Sequence, residues 1–317
     1  MDFLYVFSKM AELFLIIVIG YLTCKRGIFG KEARIQVTKL VLNVAIPGIT
    51  LSSVLNQDSL PDASQILGLF AVALSSYFVL VLAAFVVPRL IGASRQQRGI
   101  YQFMVTFANV GFIGYPVTQA IFGDRAVFYT CVFNLPFNFL VYSIGAIFIQ
   151  KSAALSAGKD GDTMERAAIS LKTFLTPCLI SAVLAILLAF TGWKAPAMIG
   201  ETCEMLGNIT TPAALMIIGS SLAEMPVREM FSNGRVYLFA AFRLLLLPLL
   251  VYVIYRNFVT DTLLLGVCVI ISAMPVATNG TMLCLQYKAD EKLMAQGTFI
   301  TTLASMVTIP LLAMLFQ

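Results

Sequence analysis

Histidine is absent from all 317 residues, which removes the commonest general base, proton relay and metal ligand. Charge is scarce too. Asp, Glu, Lys and Arg together make up 12% of the chain, where a soluble domain carries about 25%. No apolar span holds two aspartates, which argues against the carboxylate ion site of a sodium/proton antiporter. There is no Walker motif, no HExxH and no GxSxG. Direct drive by ATP is thereby excluded, and a membrane enzyme lacks any catalytic set. Six cysteines (Cys24, Cys131, Cys178, Cys203, Cys268 and Cys284) show neither CxxC nor metal-ligand spacing. They read as small apolar packing residues, and no metal or cofactor is expected. The first residues lack a basic stretch and a small-residue cleavage site, so no cleaved signal peptide is expected.

What is present is apolar. Hydrophobic residues are 59% of the chain and mean hydropathy is +0.90. A span of the bilayer needs about 20 mainly apolar residues. Ten such spans are predicted, at 3–24, 36–55, 64–88, 99–122, 126–149, 169–191, 197–223, 235–256, 262–286 and 293–316. The expectation is an all-α, multi-pass integral membrane protein whose partner is the lipid bilayer. Residues 1–150 hold five spans, 151–168 form a polar linker, and 169–317 hold five more.

Lysine and arginine sort strongly between the two loop faces. Sixteen lie on one, from Lys25 and Arg26 through Arg95, Lys151 and Arg166 to Lys288 and Lys292. Four (Lys9, Arg125, Lys194 and Arg256) lie on the other, and Arg243, inside a span, completes the 21. The positive-inside rule puts the sixteen in the cytoplasm and both termini outside, in the cell (inner) membrane of a bacterial-type cell. The net charge of +5 reflects this bias, so no nucleic acid is expected as a partner.

Five is an odd number. If the second five spans repeat the first, they enter the membrane from the opposite side, a common plan of secondary carriers. Two features suggest that repeat. Asn43 and Pro47 in the second span are four apart, as are Asn208 and Pro212 in the seventh, 165 residues on. Pro116 in FANVGFIGYPVTQAIF and Pro275 in VIISAMPVATNGTML occupy matching places in the fourth and ninth spans, 159 apart. A proline in mid-span removes a backbone hydrogen bond and clashes with the preceding turn. In lipid, backbone freed in this way is tolerated only where protein buries it or where it lines a cavity.

The candidate site is built around these breaks. Asn109, Gly111 and Gly114 precede Pro116, while Thr278, Asn279 and Gly280 follow Pro275. If both helices unwind and meet at mid-membrane, four half-helix ends converge. The N-terminal ends suit an anion and the carbonyl ends a cation. Asn134 and Asn138, four apart beside Pro136, share a helix face that should turn inward. Gln296, Thr298, Thr301, Thr302 and Ser305 form a polar stripe on the tenth span. They are read either as site or as helix–helix contacts and bonds back to their own helix. Arg243 either attracts an anion or snorkels to the surface along its apolar stem. Glu12 should pair locally with Lys9, and Glu201, Glu204 and Glu224 should be interfacial.

LVLNVAIPG, FANVGFIGYPVTQAIFG, FNLPFNFLVYSIG, TTPAALMIIGSSLA and MPVATNG resemble the corresponding segments of the auxin efflux carrier family, in its short bacterial form akin to malate and malonate permeases. The likeness runs over essentially the whole chain. It implies two inverted five-helix repeats with broken, crossing helices 4 and 9, a plan shared with sodium/proton antiporters and bile-acid symporters. It also implies a scaffold of spans 1, 2, 6 and 7, a mobile transport unit of spans 3–5 and 8–10, elevator-type movement and a homodimer. Small carboxylate anions are the implied substrates, held at Asn109, Pro116 and Pro275 with Asn134 and Asn138 alongside. The coupling ion stays open. The alternatives are a sodium-coupled bile-acid-symporter-like carrier and a membrane ligand sensor. The 150–172 linker is too short for the output domain a sensor normally needs.

Overall fold

The computed structural model of the protein describes residues 3–56, 63–158, 176–193, 195–224 and 230–316. Lys159, Arg166, Lys172, Lys194 and Arg228, most of the linker and the start of the sixth span lie outside the described residues. Within them the chain is helical and has no strand, only one isolated bridge. The helices in chain order are α1 (Phe3–Lys25), α2 (Lys31–Leu55), α3 (Ala63–Leu90), α4 (Arg95–Thr106), α5 (Val110–Phe122) and α6 (Arg125–Ser156). There follow α7 (Pro177–Thr191), α8 (Ala197–Glu224), α9 (Gly234–Tyr255), α10 (Thr262–Ser272), α11 (Asn279–Tyr287) and α12 (Glu291–Ala313).

Seven of these (α1, α2, α3, α6, α8, α9 and α12) are long and apolar enough to cross a membrane, and α5, α7 and α10 are shorter apolar helices. A multi-pass membrane protein follows. Where the fourth span was expected there are two helices, α4 and α5, and where the ninth was expected there are α10 and α11.

α3 shows why such a sequence folds only in a bilayer. Leu69, Ala73, Tyr77, Leu80, Ala84 and Val87 are buried, at helical spacing. A second stripe, Leu67, Phe70, Leu74, Phe78, Leu82 and Phe85, faces outward. A helix that is apolar all round has no water-facing side, which suits protein on one face and hydrocarbon on the other.

Proline is absorbed by local widening. Wide π turns at Val41–Ala45, Val110–Gly114 and Phe242–Leu246 each end two residues before a proline, Pro47, Pro116 and Pro248 respectively. In each, the next N–H reaches back five residues, as Tyr115 does to the Val110 carbonyl. The extra residue re-aims the bonds that a proline ring would block. In α8 the irregularity at Asn208 and Ile209 plays the same part ahead of Pro212.

α1 packs along the second half of α8, and α2 packs on α8 and α7. The α1–α8 contact is backbone-close. A Cβ on Gly20 would lie 2.5 Å from the Met216 carbonyl oxygen, and one on Gly219 would collide with the Ile17 carbonyl. Small residues at such crossings let membrane helices gain dispersion contact where lipid offers no hydrophobic drive. α3, α4, α6, α9, α10, α11 and α12 pack among themselves, with α12 also touching α1, α6 touching α2 and α7, and α5 lying against α6, α1 and α8. The expected Lys9–Glu12 pair is present at 3.0 Å, and Glu224 is paired with Arg34.

Candidate functional site

The two helix breaks meet. α4 ends at Thr106 and Phe107 turns to extended backbone, well ahead of Pro116, which was expected to mark the break but lies inside α5 behind a π turn, out of reach of Phe107. α10 ends at Ser272, ahead of Pro275. The two extended stretches then pair antiparallel around Ala108 and Val276. Asn109 N–H donates to the Pro275 carbonyl at 2.8 Å, and Ala277 N–H donates to the Phe107 carbonyl at 3.0 Å. Unpaired backbone in a membrane interior costs several kcal/mol per group, and here each break supplies the other's partners.

Asn109 sits at the start of α5 and is 3% exposed. Its Oδ1 accepts from Phe112 N–H at 3.2 Å, an N-cap. Its carbonyl accepts from the Ile113 and Gly114 amides at 3.2 and 3.0 Å. Its Nδ2 is buried without a partner, so a donor at the start of α5 has nothing to bond. Beside it, Gly111 is half-buried and a Cβ added there would meet open space.

Pro275 lends its carbonyl directly. Pro116 is buried further along α5. Thr278 and Asn279 open α11 and are half-buried, with no side-chain cap from Thr278. Asn134 on α6 is 8% exposed and its Oδ1 has no partner. Asn138 is half-buried and spends its Nδ2 on the Asn134 carbonyl at 2.8 Å. Asn43 is exposed, bonded to the Lys39 carbonyl at 2.7 Å, and Asn208 is exposed in the bend of α8. These two asparagines, with Pro47 and Pro212, mark helix irregularities and lie outside the crossover.

Arg243 does not snorkel. It is 0% exposed, and its Nη1 donates to the carbonyl of Ser272, the last residue of α10. A cation at a helix C-terminus meets the negative end of the dipole. On the tenth-span stripe, Thr298, Thr302 and Ser305 bond back to their own helix. Thr301 does so as well, at 2.7 Å to the Gly297 carbonyl, but its Oγ1 also accepts from Val276 N–H at 3.1 Å. That second bond anchors the α10–α11 break, a role the hydroxyl spacing does not reveal.

A further feature lay beyond sequence reading. A cavity of about 230 Å³ is bounded by Ile49, Ser52, Ser53 and Asn56 of α2 and its end, Gln119, Asp124 and Val127 where α5 passes into α6, and Glu204 and Asn208 of α8. Its walls are tied by Asn56 to Glu204 at 2.7 Å and Gln119 to Asp124 at 2.9 Å. Arg125, on the sparsely basic face, lines it as well. Thr50, one turn deeper on α2, is buried with an unpartnered hydroxyl.

A buried, pre-paired break with a spare amide donor can hold a polar ligand, and among the described residues nothing around it resembles a nucleophile with its base. Comparison with known proteins agrees with that character. An uncharacterized transporter of Methanothermobacter thermautotrophicus is 25% identical over 309 residues, covering 96% of each chain. One from Methanocaldococcus jannaschii is 25% identical over 301 residues, covering 94% of each. A putative malonate transporter of Rhizobium meliloti is 21% identical over 302 residues, covering 93% of this chain and 90% of its own. The family model described as membrane transport protein matches residues 5–313, and the chain therefore belongs to this family, the auxin efflux carrier group of membrane transporters.

Proposed function

We propose that the protein is a secondary carrier of a small organic carboxylate anion, held at the meeting point of α4–α5 with α10–α11 and moved by an elevator-type shift. The observation that carries this is the Asn109 amide, whose Nδ2 is buried, unpartnered and set in the paired break. A carboxylate accepts from such a donor and from the N–H groups at the starts of α5 and α11, where the dipole also favours negative charge. Its remainder packs on Val110, Phe112 and their neighbours.

In this reading α1, α2, α7 and α8 form the static scaffold and carry a homodimer contact, and the other helices move with the substrate. Their mutual packing supports that division. The two halves of the chain are inverted repeats, with both termini on the non-cytoplasmic side of the cell membrane. Malonate is the first acid to test, because one relative bears its name. Proteoliposome uptake of radiolabelled malonate, malate and indole acetate is measured with and without sodium, proton and potential gradients. Saturable uptake of one acid that Asn109→Ala abolishes or strongly weakens supports the reading. No uptake of any of them by folded protein refutes the carboxylate assignment.

A further inference from the structure

Among the described residues, Arg243 is the one charged side chain that is buried. A guanidinium stays protonated in proteins, and a charge removed from water normally has a counter-ion beside it. Arg243 has none. The described ion pairs are Lys9–Glu12 and Arg34–Glu224. Nη1 is used on the Ser272 carbonyl, while Nε and Nη2 have no partner. The Tyr77 hydroxyl, within electrostatic reach of Arg243, is itself buried and unpartnered. Tyr77 and Ser272 line a small cavity together with Ala108, the bridge residue of the opposite break. A full positive charge is thus fixed directly behind the crossover.

The carbonyl end of α10 is the place where a crossed-helix site would otherwise present negative dipole. Arg243 covers it. α9, which carries Arg243, packs on α10 and α12 and so stays with the crossover.

We propose that Arg243 is the fixed countercharge of the moving unit. It selects for anions without touching them and travels with them. This rests on the carrier reading above. The empty unit then carries one positive charge. Loaded with a doubly charged acid such as malonate it carries one negative charge, and with a singly charged acid it is neutral. The membrane field drives net charges of opposite sign in opposite directions, so the empty and malonate-loaded steps respond to potential in opposite directions.

The test applies voltage steps to membranes holding the full chain, first without acid and then with saturating malonate on both sides. The expected result is a charge displacement along the applied field both without acid and with malonate, while the same voltage step moves the unit itself to opposite sides of the membrane in the two conditions. In Arg243→Gln the acid-free displacement is lost, while Arg243→Lys retains it. Wild-type protein that shows no displacement in either condition overturns the proposal, as does an Arg243→Gln displacement equal to wild type. The wild-type measurement decides even if the glutamine variant fails to fold. A merely structural role for Arg243 would lower protein yield without removing displaced charge per molecule. Labelled malonate uptake in the same preparation reports on the carrier reading separately.

Discussion

The backbone N–H of Asn109 donates to the carbonyl oxygen of Pro275 across 166 positions of sequence at 2.8 Å. Backbone links one break to the other, so the crossover does not depend on the asparagine side chain. The side chain is left for two other tasks, capping α5 through Oδ1 and presenting Nδ2.

Asn109→Ala should therefore leave the crossover formed and remove the presented donor. Loss of the cap costs about 1 kcal/mol, and loss of a hydrogen bond to a charged ligand costs about 1.5–3 kcal/mol. Affinity for the transported acid should fall about 10- to 100-fold while expression and detergent monodispersity hold. Uptake kinetics over a range of acid concentrations read this out, and an unchanged KM and rate would remove Asn109 from the site.

Pro116→Ala and Pro275→Ala each restore an N–H where the chain now has none. Both should favour continuous helix over the broken form and slow transport several-fold, with thermal stability equal or higher. Pro275→Ala should have the larger effect, because the Pro275 carbonyl takes part in the pairing and Pro116 lies beyond a π turn that already absorbs it. Initial uptake rates alongside melting curves check both points. Two variants with wild-type rates would undo the broken-helix mechanism.

Thr301 is expected to matter through Val276. Thr301→Val keeps size but leaves the buried Val276 N–H without its acceptor, a penalty of about 1–3 kcal/mol. Thr301→Ser restores the oxygen. The valine variant should melt earlier and transport more slowly, and the serine variant should recover most of both. If valine and serine behave alike, the hydroxyl does not anchor the break.

Part of this was legible in the sequence and part was not. Proline's missing N–H is a property of the residue, so Pro275 announces the break beside it, whereas Pro116 is taken up by a π turn inside α5 and the matching break forms earlier, at Phe107 to Asn109. Tertiary rotation is not a residue property. Arg243 could have reached the surface or been sealed in, and only the packing of α9 on α10 and α12 decides. Thr301 hid its role because a helical hydroxyl already has a default partner four residues back. Its remaining lone pairs found Val276 only through the fold. The Asn43/Pro47 and Asn208/Pro212 pairs were legible as a pattern, yet they locate helix irregularities away from the crossover. The cavity near Asn208 draws on three separated segments, which no local spacing connects.

The last prediction concerns what the moving parts would push against. Gly219 sits where α8 meets α1, and a methyl group there would collide with the Ile17 carbonyl and crowd the Tyr21 amide. Both are backbone atoms of a helix, so neither can swing aside as a flexible side chain would. Gly219→Ala must separate α1 from α8, lose dispersion contact along the interface, and disturb the adjacent bond from the Ser220 hydroxyl to the Phe29 carbonyl. Overpacking of this kind costs about 1–3 kcal/mol. The control is Gly68→Ala on α3, where a Cβ would meet nothing and the change from glycine favours helix by about 1 kcal/mol. Melting curves in one detergent should place Gly219→Ala below wild type and Gly68→Ala at or above it. If Gly219→Ala melts with wild type, α1 and α8 do not meet backbone to backbone, and the rigid framework assigned to them loses its physical basis.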